Sequence, residues 1–107
     1  MKRIIIFLCC LHIILNAETT ISVDSLFSIG NRYFSVEKYD YALDAFLAIL
    51  EEVEHPDLYY NIGNTYYRLG DVGQAIWAYE KGIQLSPIHK DLKYNLDFVN
   101  ARVKDRI

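Results

Sequence analysis

The chain has 107 residues and a formal net charge of −3. A chain of this length forms one small domain whose core is only just large enough for independent stability. An acidic chain without a basic stripe argues against nucleic acid, and against an anionic membrane surface, as binding partners.

The first element along the chain is predicted to be a secretory signal peptide over residues 1–17. Lys2 and Arg3 give a positive start, residues 4–15 are apolar except for His12, and Ala17 offers a small residue for cleavage. The apolar run is too short to cross a bilayer, which takes about 20 residues. An uncleaved anchor or a buried helix is the alternative interpretation.

Cleavage after Ala17 would remove both cysteines and leave residues 18–107 as the mature domain. The mature chain has 9 Lys and Arg against 14 Asp and Glu, a net charge of −5. No disulfide framework is then available. Because residues 1–17 are predicted to be a signal peptide, we expect a periplasmic or secreted protein. It would meet the membrane only through partners or through an uncleaved signal segment.

Five helices are predicted in the rest of the chain. Their approximate ranges are 24–36, 40–52, 57–69, 73–85 and 90–104. In the second helix, Ala42, Ala45, Phe46 and Ile49 follow the i, i+3, i+4, i+7 spacing of one helix face. Acids that are expected to cap helices and to meet the helix dipole stand at three starts: Asp24, Asp40 and Asp57.

Residues of about 23–55 recur as residues 56–89, at a spacing of 33. Ile29-Gly30 of the first copy aligns with Ile62-Gly63 of the second, and the small residues allow two helices to approach closely. A third, partial copy begins at Asp91, but Asp97 replaces its glycine. Residues of about 90–104 are therefore predicted to form a capping helix.

This pattern resembles the tetratricopeptide repeat, whose consensus is W-x2-L-G-x2-Y, then A-x3-F, then P. The matching positions of the second copy are Tyr59, Ile62, Gly63, Tyr66, Ala75, Tyr79 and Pro87. The resemblance implies an all-α solenoid of two helix-turn-helix repeats and a C-terminal capping helix. Such repeats stack helices and build no catalytic pocket.

We find no candidate catalytic, cofactor or metal site in the mature sequence. His55 and His89 lie one repeat apart without an obvious third ligand, and both are expected to be solvated loop residues. No glycine-rich phosphate loop is present, and no serine stands in a nucleophile elbow. The sequence therefore predicts a protein without enzymatic activity, cofactor or small-molecule substrate.

The resemblance also implies that the first helix of each repeat lines a concave surface. The partner-binding residues predicted there are mostly asparagines and aromatics: Asn31, Tyr60, Asn61, Asn64, Tyr67, Arg68, Tyr94 and Asn95. Asparagine amides bind peptide backbone, and aromatic rings supply contact area. We expect five of them, Tyr60, Asn61, Asn64, Tyr67 and Tyr94, to form one patch. For Phe27, Phe34 and Phe98 nearby, packing between helices is the alternative role.

Some relatives of this fold grip a C-terminal carboxylate through two asparagines and three basic residues. Asn31 and Asn61 match the asparagines, but the basic positions fall on Phe27, Asp91 and Asn95. Asp91 would repel an acidic tail. The sequence does not support that clamp.

Residues 59–76, 79–81 and 91–98 look like the repeat of BatE-type proteins, which are envelope proteins of the bacterial aerotolerance (Bat) operon. The resemblance covers residues 24–107 and is loose in the first copy. It implies a periplasmic or secreted scaffold that acts beside membrane proteins with von Willebrand A-type domains. BatE-type proteins often continue into a transmembrane helix and an SH3-like domain, and neither is expected within residues 1–107.

Two functions of different class agree with these features. The first is a non-enzymatic adaptor that binds a partner protein, such as another Bat-type envelope protein. The second is a structural repeat unit that associates with itself as a homo-oligomer. Mass in solution distinguishes them, because a monomer favours the adaptor.

Overall fold

The computed structural model describes residues 21–105, which contain five α-helices and no strand. The helices are α1 Val23–Ser35, α2 Tyr39–Leu50, α3 Pro56–Arg68, α4 Val72–Leu85 and α5 Lys90–Asp105. The all-α prediction is confirmed, and each helix begins within one residue of its expected start. The predicted signal peptide lies outside the described residues. None of the helices in this part of the chain is long and apolar enough to cross a membrane.

The helix starts differ from the prediction in their capping residues. The side chains that accept a hydrogen bond from the first-turn backbone belong to Ser22, His55, Asp71 and His89. Asp24, Asp40 and Asp57 lie inside the first turns instead. Their carboxylates still meet the positive end of the helix dipole, so the electrostatic part of the expectation holds.

The turn inside each repeat has the same hydrogen bonding. After α1, the Lys38 N–H donates to the Tyr33 carbonyl over 2.9 Å, and after α3, the Asp71 N–H donates to the Tyr66 carbonyl over 3.0 Å. This closure puts the residue before that N–H in the left-handed region, with φ of 83° at Gly70 and 63° at Glu37. An L-residue there costs about 1–2 kcal/mol, so the first repeat contains local strain at Glu37.

Glycines set the distance between the paired helices, as predicted. A Cβ atom on Gly30 would lie 2.5 Å from Cε1 of Phe46, and one on Gly63 would lie 2.6 Å from Cδ1 of Tyr79. Each aromatic ring of the second helix therefore lies directly on the glycine of the first. A third close approach, which the pattern did not predict, brings α5 against α4 at Gly82.

Each helix packs on the next along the chain, and the buried residues form two clusters that the partly buried Tyr66 contacts from between them. Leu58 and Ile62 of α3 are fully buried against α2 of the preceding repeat. Leu92 and Val99 of α5 are buried in the same way against the second repeat. The first helix of each unit is thereby held beside the next, and this places the side chains of α1, α3 and α5 along one surface.

Candidate partner-binding groove

Side chains mostly of α1, α3 and α5, together with Phe46 of α2 and Tyr79 of α4, line two adjoining cavities, which together we call the groove. The smaller, of about 50 Å³, is lined by Asn31, Phe34, Phe46, Asn61 and Asn64. The larger, of about 470 Å³, is lined by Phe34, Asn64, Tyr67, Arg68, Tyr79, Asn95, Phe98 and Val99. Six of the eight residues predicted to bind a partner lie in the groove.

Asn64 is the centre of a hydrogen-bond network that joins three helices. Its Oδ1 accepts a hydrogen bond of 2.6 Å from the Tyr79 hydroxyl and one of 2.8 Å from Nδ2 of Asn95. Tyr79 is only 2% exposed, and burial raises the pKa of its hydroxyl to about 12. The hydroxyl therefore stays protonated at pH 10, where an ordinary tyrosine is half ionised, and keeps donating to Asn64. The Asn64 oxygen is thus used within the protein, which leaves its Nδ2 group for a partner.

Asn31 and Asn61 have more accessible positions. Asn31 is exposed and Asn61 is half-buried, and both line the smaller cavity. Asn31 and Asn64 are 33 residues apart, and Asn61 and Asn95 are 34 apart. Each pair therefore occupies one position in successive repeat copies, so amide groups recur at the repeat spacing along the groove.

Tyr60 and Tyr94 are not among the residues that line the groove. The Tyr60 ring packs against the His89 ring, with 6.2 Å between centroids. Tyr94 is 71% exposed on α5. The predicted patch of five residues is therefore divided: Asn61, Asn64 and Tyr67 are in the groove, and the two tyrosines lie elsewhere on the surface.

His89 was expected to be solvated, and for this residue the prediction is wrong. Its side chain is 20% exposed, and Nε2 lies 2.9 Å from Oδ1 of Asp57. Its Nδ1 accepts a hydrogen bond of 3.2 Å from the Leu92 N–H, so a neutral His89 carries its proton on Nε2 and donates to Asp57. His89 thus joins the start of α5 to the start of α3. No three His, Cys, Asp or Glu residues within 21–105 lie where they would hold a metal ion.

The three phenylalanines differ in role. Phe27 packs edge-on against Phe46 with 5.9 Å between ring centroids, so it belongs to the core. Phe34 packs against Tyr39 and still lines both groove cavities. Phe98 is 45% exposed and forms the α5 wall of the larger cavity. Phe34 and Phe98 therefore pack against neighbouring rings and also form part of the groove surface.

A further cleft, which we call the basic cleft, adjoins the groove and was not predicted. It has a volume of about 600 Å³ and is lined by Tyr67, Arg68, Gly70, Val72, Val99, Arg102 and Val103. Arg102 donates from Nη1 to the Tyr67 hydroxyl, and its guanidinium carbon lies 5.0 Å from the centre of the Phe98 ring. Arg68 and Arg102 are 34 residues apart, one repeat spacing, and this is the signal in the sequence from which the pair could have been found.

The comparisons with known proteins bear on the second repeat. Residues 56–89 match the tetratricopeptide repeat family. No curated protein matches the chain significantly. Tetratricopeptide repeats generally mediate protein–protein interaction and are generally non-enzymatic. This chain therefore carries a tetratricopeptide repeat, and its described residues fold as an all-helical repeat solenoid.

Proposed function

We propose that this protein is a non-enzymatic adaptor of the bacterial cell envelope, which holds an extended segment of a partner protein in the groove. The observation that carries the proposal is the recurrence of asparagine amides at the repeat spacing, on α1, α3 and α5. An extended peptide presents backbone N–H and C=O groups at regular intervals, and amides can pair with both.

The groups that remain for such a partner are specific. The side-chain amides of Asn31 and Asn61 line the smaller cavity, and Asn64 retains its Nδ2 donor. Phe34, Tyr67 and Phe98 supply aromatic walls that a partner's apolar side chains would contact at low entropic cost. Because Asn64 is fixed by Tyr79 and Asn95, its donor is already oriented before a partner binds.

The envelope location is part of the proposal. It is supported by the signal-peptide pattern of residues 1–17 and by the resemblance of residues 59–76 and 91–98 to BatE-type repeats. Other Bat-type envelope proteins are the partners that this resemblance favours. Membrane association would then come through those partners or through an uncleaved signal segment.

Self-association is the second candidate, and the outer side of α5 argues against it. The side of α3 that packs on its paired helix α4 carries Tyr59, Gly63 and Tyr66. The contacts of Tyr59 with Trp77 and of Gly63 with Tyr79 show this packing. The residues 34 positions later in α5 are Lys93, Asp97 and Asn100, and all three are exposed. A second copy stacked on this side of α5 would bury polar groups without partners, which costs free energy.

Site-specific photo-crosslinking in the native envelope tests the adaptor proposal. A benzoylphenylalanine placed at Asn31, which is exposed beside the smaller cavity, should give an adduct with a partner protein. The control carries the same group at Lys81 on α4, because Lys81 does not line the groove. An adduct at Lys81 but not at Asn31 would move the binding surface away from the groove, and an adduct of two copies would favour self-association.

A further inference from the structure

The basic cleft exists because the second repeat carries smaller side chains than the first at the same turn. Gly70 and Val72 stand 33 residues after Glu37 and Tyr39. In the first repeat, the Tyr39 ring fills the space next to Phe34, with 5.2 Å between ring centroids. In the second repeat, valine and glycine leave that space open.

The two equivalent sites also differ in size and charge. The site at the first turn has about 270 Å³, and its charged lining residues are two acids, Glu37 and Asp40, and one base, Lys38. The basic cleft has about 600 Å³, and both charged residues that line it are arginines, Arg68 and Arg102. The change from the first turn to the second therefore converts a small site of mixed charge into a larger site whose two charged residues are both basic.

Arg102 is held in position before any ligand arrives. Its donor group bonds the Tyr67 hydroxyl, and its guanidinium lies over both the Phe98 and the Tyr67 rings, 5.0 and 6.0 Å from their centroids. Neither Arg102 nor Arg68 forms an ion pair among residues 21–105. A planar guanidinium in a fixed orientation suits a carboxylate, which it can bind through two parallel hydrogen bonds.

We infer that the basic cleft binds an acidic segment of a protein partner. A bulky apolar side chain of that segment would lie between Val72, Val99 and Val103, and a carboxylate one or two residues away would bind Arg102 and Arg68. The inference rests on the proposed function, because the cleft shares Tyr67, Arg68 and Val99 with the groove. A segment that leaves the groove along α5 would enter the cleft directly.

Peptide selection tests the inference without knowledge of the partner. A phage-displayed library of random ten-residue peptides is selected on the purified full chain, and the enriched sequences are read. We expect an aspartate or glutamate within two residues of a large apolar side chain. Replacing that acid by its amide should weaken binding about tenfold, since hydrogen bonds between charged groups are the strong ones. Binding should also weaken as salt concentration rises.

Variants of the protein locate the bound peptide. Val72→Tyr introduces the residue that fills this position in the first repeat, and Arg102→Gln removes the fixed charge. Each should weaken the selected peptide about tenfold or more, while Gln74→Tyr, which adds the same ring to an exposed position of α4, should not. Thermal melting of Val72→Tyr confirms that the domain remains folded.

The opposite results are equally specific. The inference is overturned if the selection enriches peptides without acids or enriches none. It is also overturned if the selected peptide binds both Val72→Tyr and Arg102→Gln as tightly as the parent. A dimer that Val72→Tyr abolishes in sedimentation, or a co-purified organic anion in native mass spectrometry, overturns it too, because each identifies another occupant. The adaptor proposal is judged separately by the Asn31 crosslink, which does not depend on the basic cleft.

Discussion

Replacement of Gly63 by alanine is the sharpest test of how the repeat is packed. The new Cβ would lie 2.6 Å from Cδ1 of Tyr79, whereas carbon atoms in contact prefer about 3.5–4.0 Å. The ring would therefore have to move by about 1 Å, although it is 2% exposed and its hydroxyl bonds Asn64 at 2.6 Å. Because the ring is fixed at both ends, we expect the movement to break that hydrogen bond.

The magnitude follows from three opposing terms. Overpacking costs about 1–3 kcal/mol, and loss of the hydrogen bond costs about 0.5–1.5 kcal/mol. The better helix propensity of alanine returns about 1 kcal/mol. The net loss is about 0.5–3.5 kcal/mol, which lowers the melting temperature of a domain of this size by about 2–28 °C. Gly63→Leu should lose more.

Thermal and urea unfolding followed by circular dichroism measure this loss. Gly73→Ala is the matched control, because a Cβ on Gly73 of α4 would have no neighbouring atom within 4 Å. That variant should be as stable as the parent or slightly more stable. Equal melting temperatures for Gly63→Ala and the parent, or equal losses for the two alanine variants, would refute the packing described for the repeat.

Three further predictions concern stability. Glu37→Gly should raise the free energy of unfolding by about 0.5–1 kcal/mol in urea titrations, because glycine adopts the φ of 63° without strain; an unchanged midpoint would contradict this. Burial raises the pKa of Tyr79 to about 12, above its unfolded value of about 10, so between these pH values only the unfolded chain has released the proton. Tyr79 should therefore lower stability by about 1.4 kcal/mol per pH unit from pH 10 to 12, and Tyr59, whose pKa burial also raises to about 12, should add to this fall. Tyr79→Phe should remove the Tyr79 contribution to the slope in urea titrations at each pH. His89→Ala should cost about 1–2 kcal/mol and accelerate amide exchange at the start of α5, because Leu92 loses its acceptor; unchanged exchange there would argue against the capping role.

The fold was largely predictable from the sequence because its determinants are local and periodic. Gly30 and Gly63 recur at the repeat spacing, and only a close helix contact requires a small residue at both positions. The groove positions of Asn31, Asn61 and Asn64 follow from the same periodicity. Tyr60 was placed in the patch by its spacing from Tyr67, but its ring packs on His89, which periodicity cannot indicate.

The remaining features depend on pairs that are distant in sequence. His89 bonds Asp57 across 32 residues, and an isolated loop histidine gives no sign of such a partner. The basic cleft arises from a change of side-chain volume between equivalent turns, Tyr39 in the first and Val72 in the second. That difference has meaning only once the packing of the Tyr39 ring on Phe34 is known.

The central claim, that the groove holds a partner segment, is tested most directly by the affinity of variants for a crosslinked partner once it is identified. Asn61→Ala removes an amide that lines the smaller cavity, and we expect binding to weaken by about 1–2 kcal/mol, or about 5- to 30-fold. Lys81→Ala on α4 should leave the affinity unchanged. If Lys81→Ala weakens the partner and Asn61→Ala does not, the groove is not the binding surface.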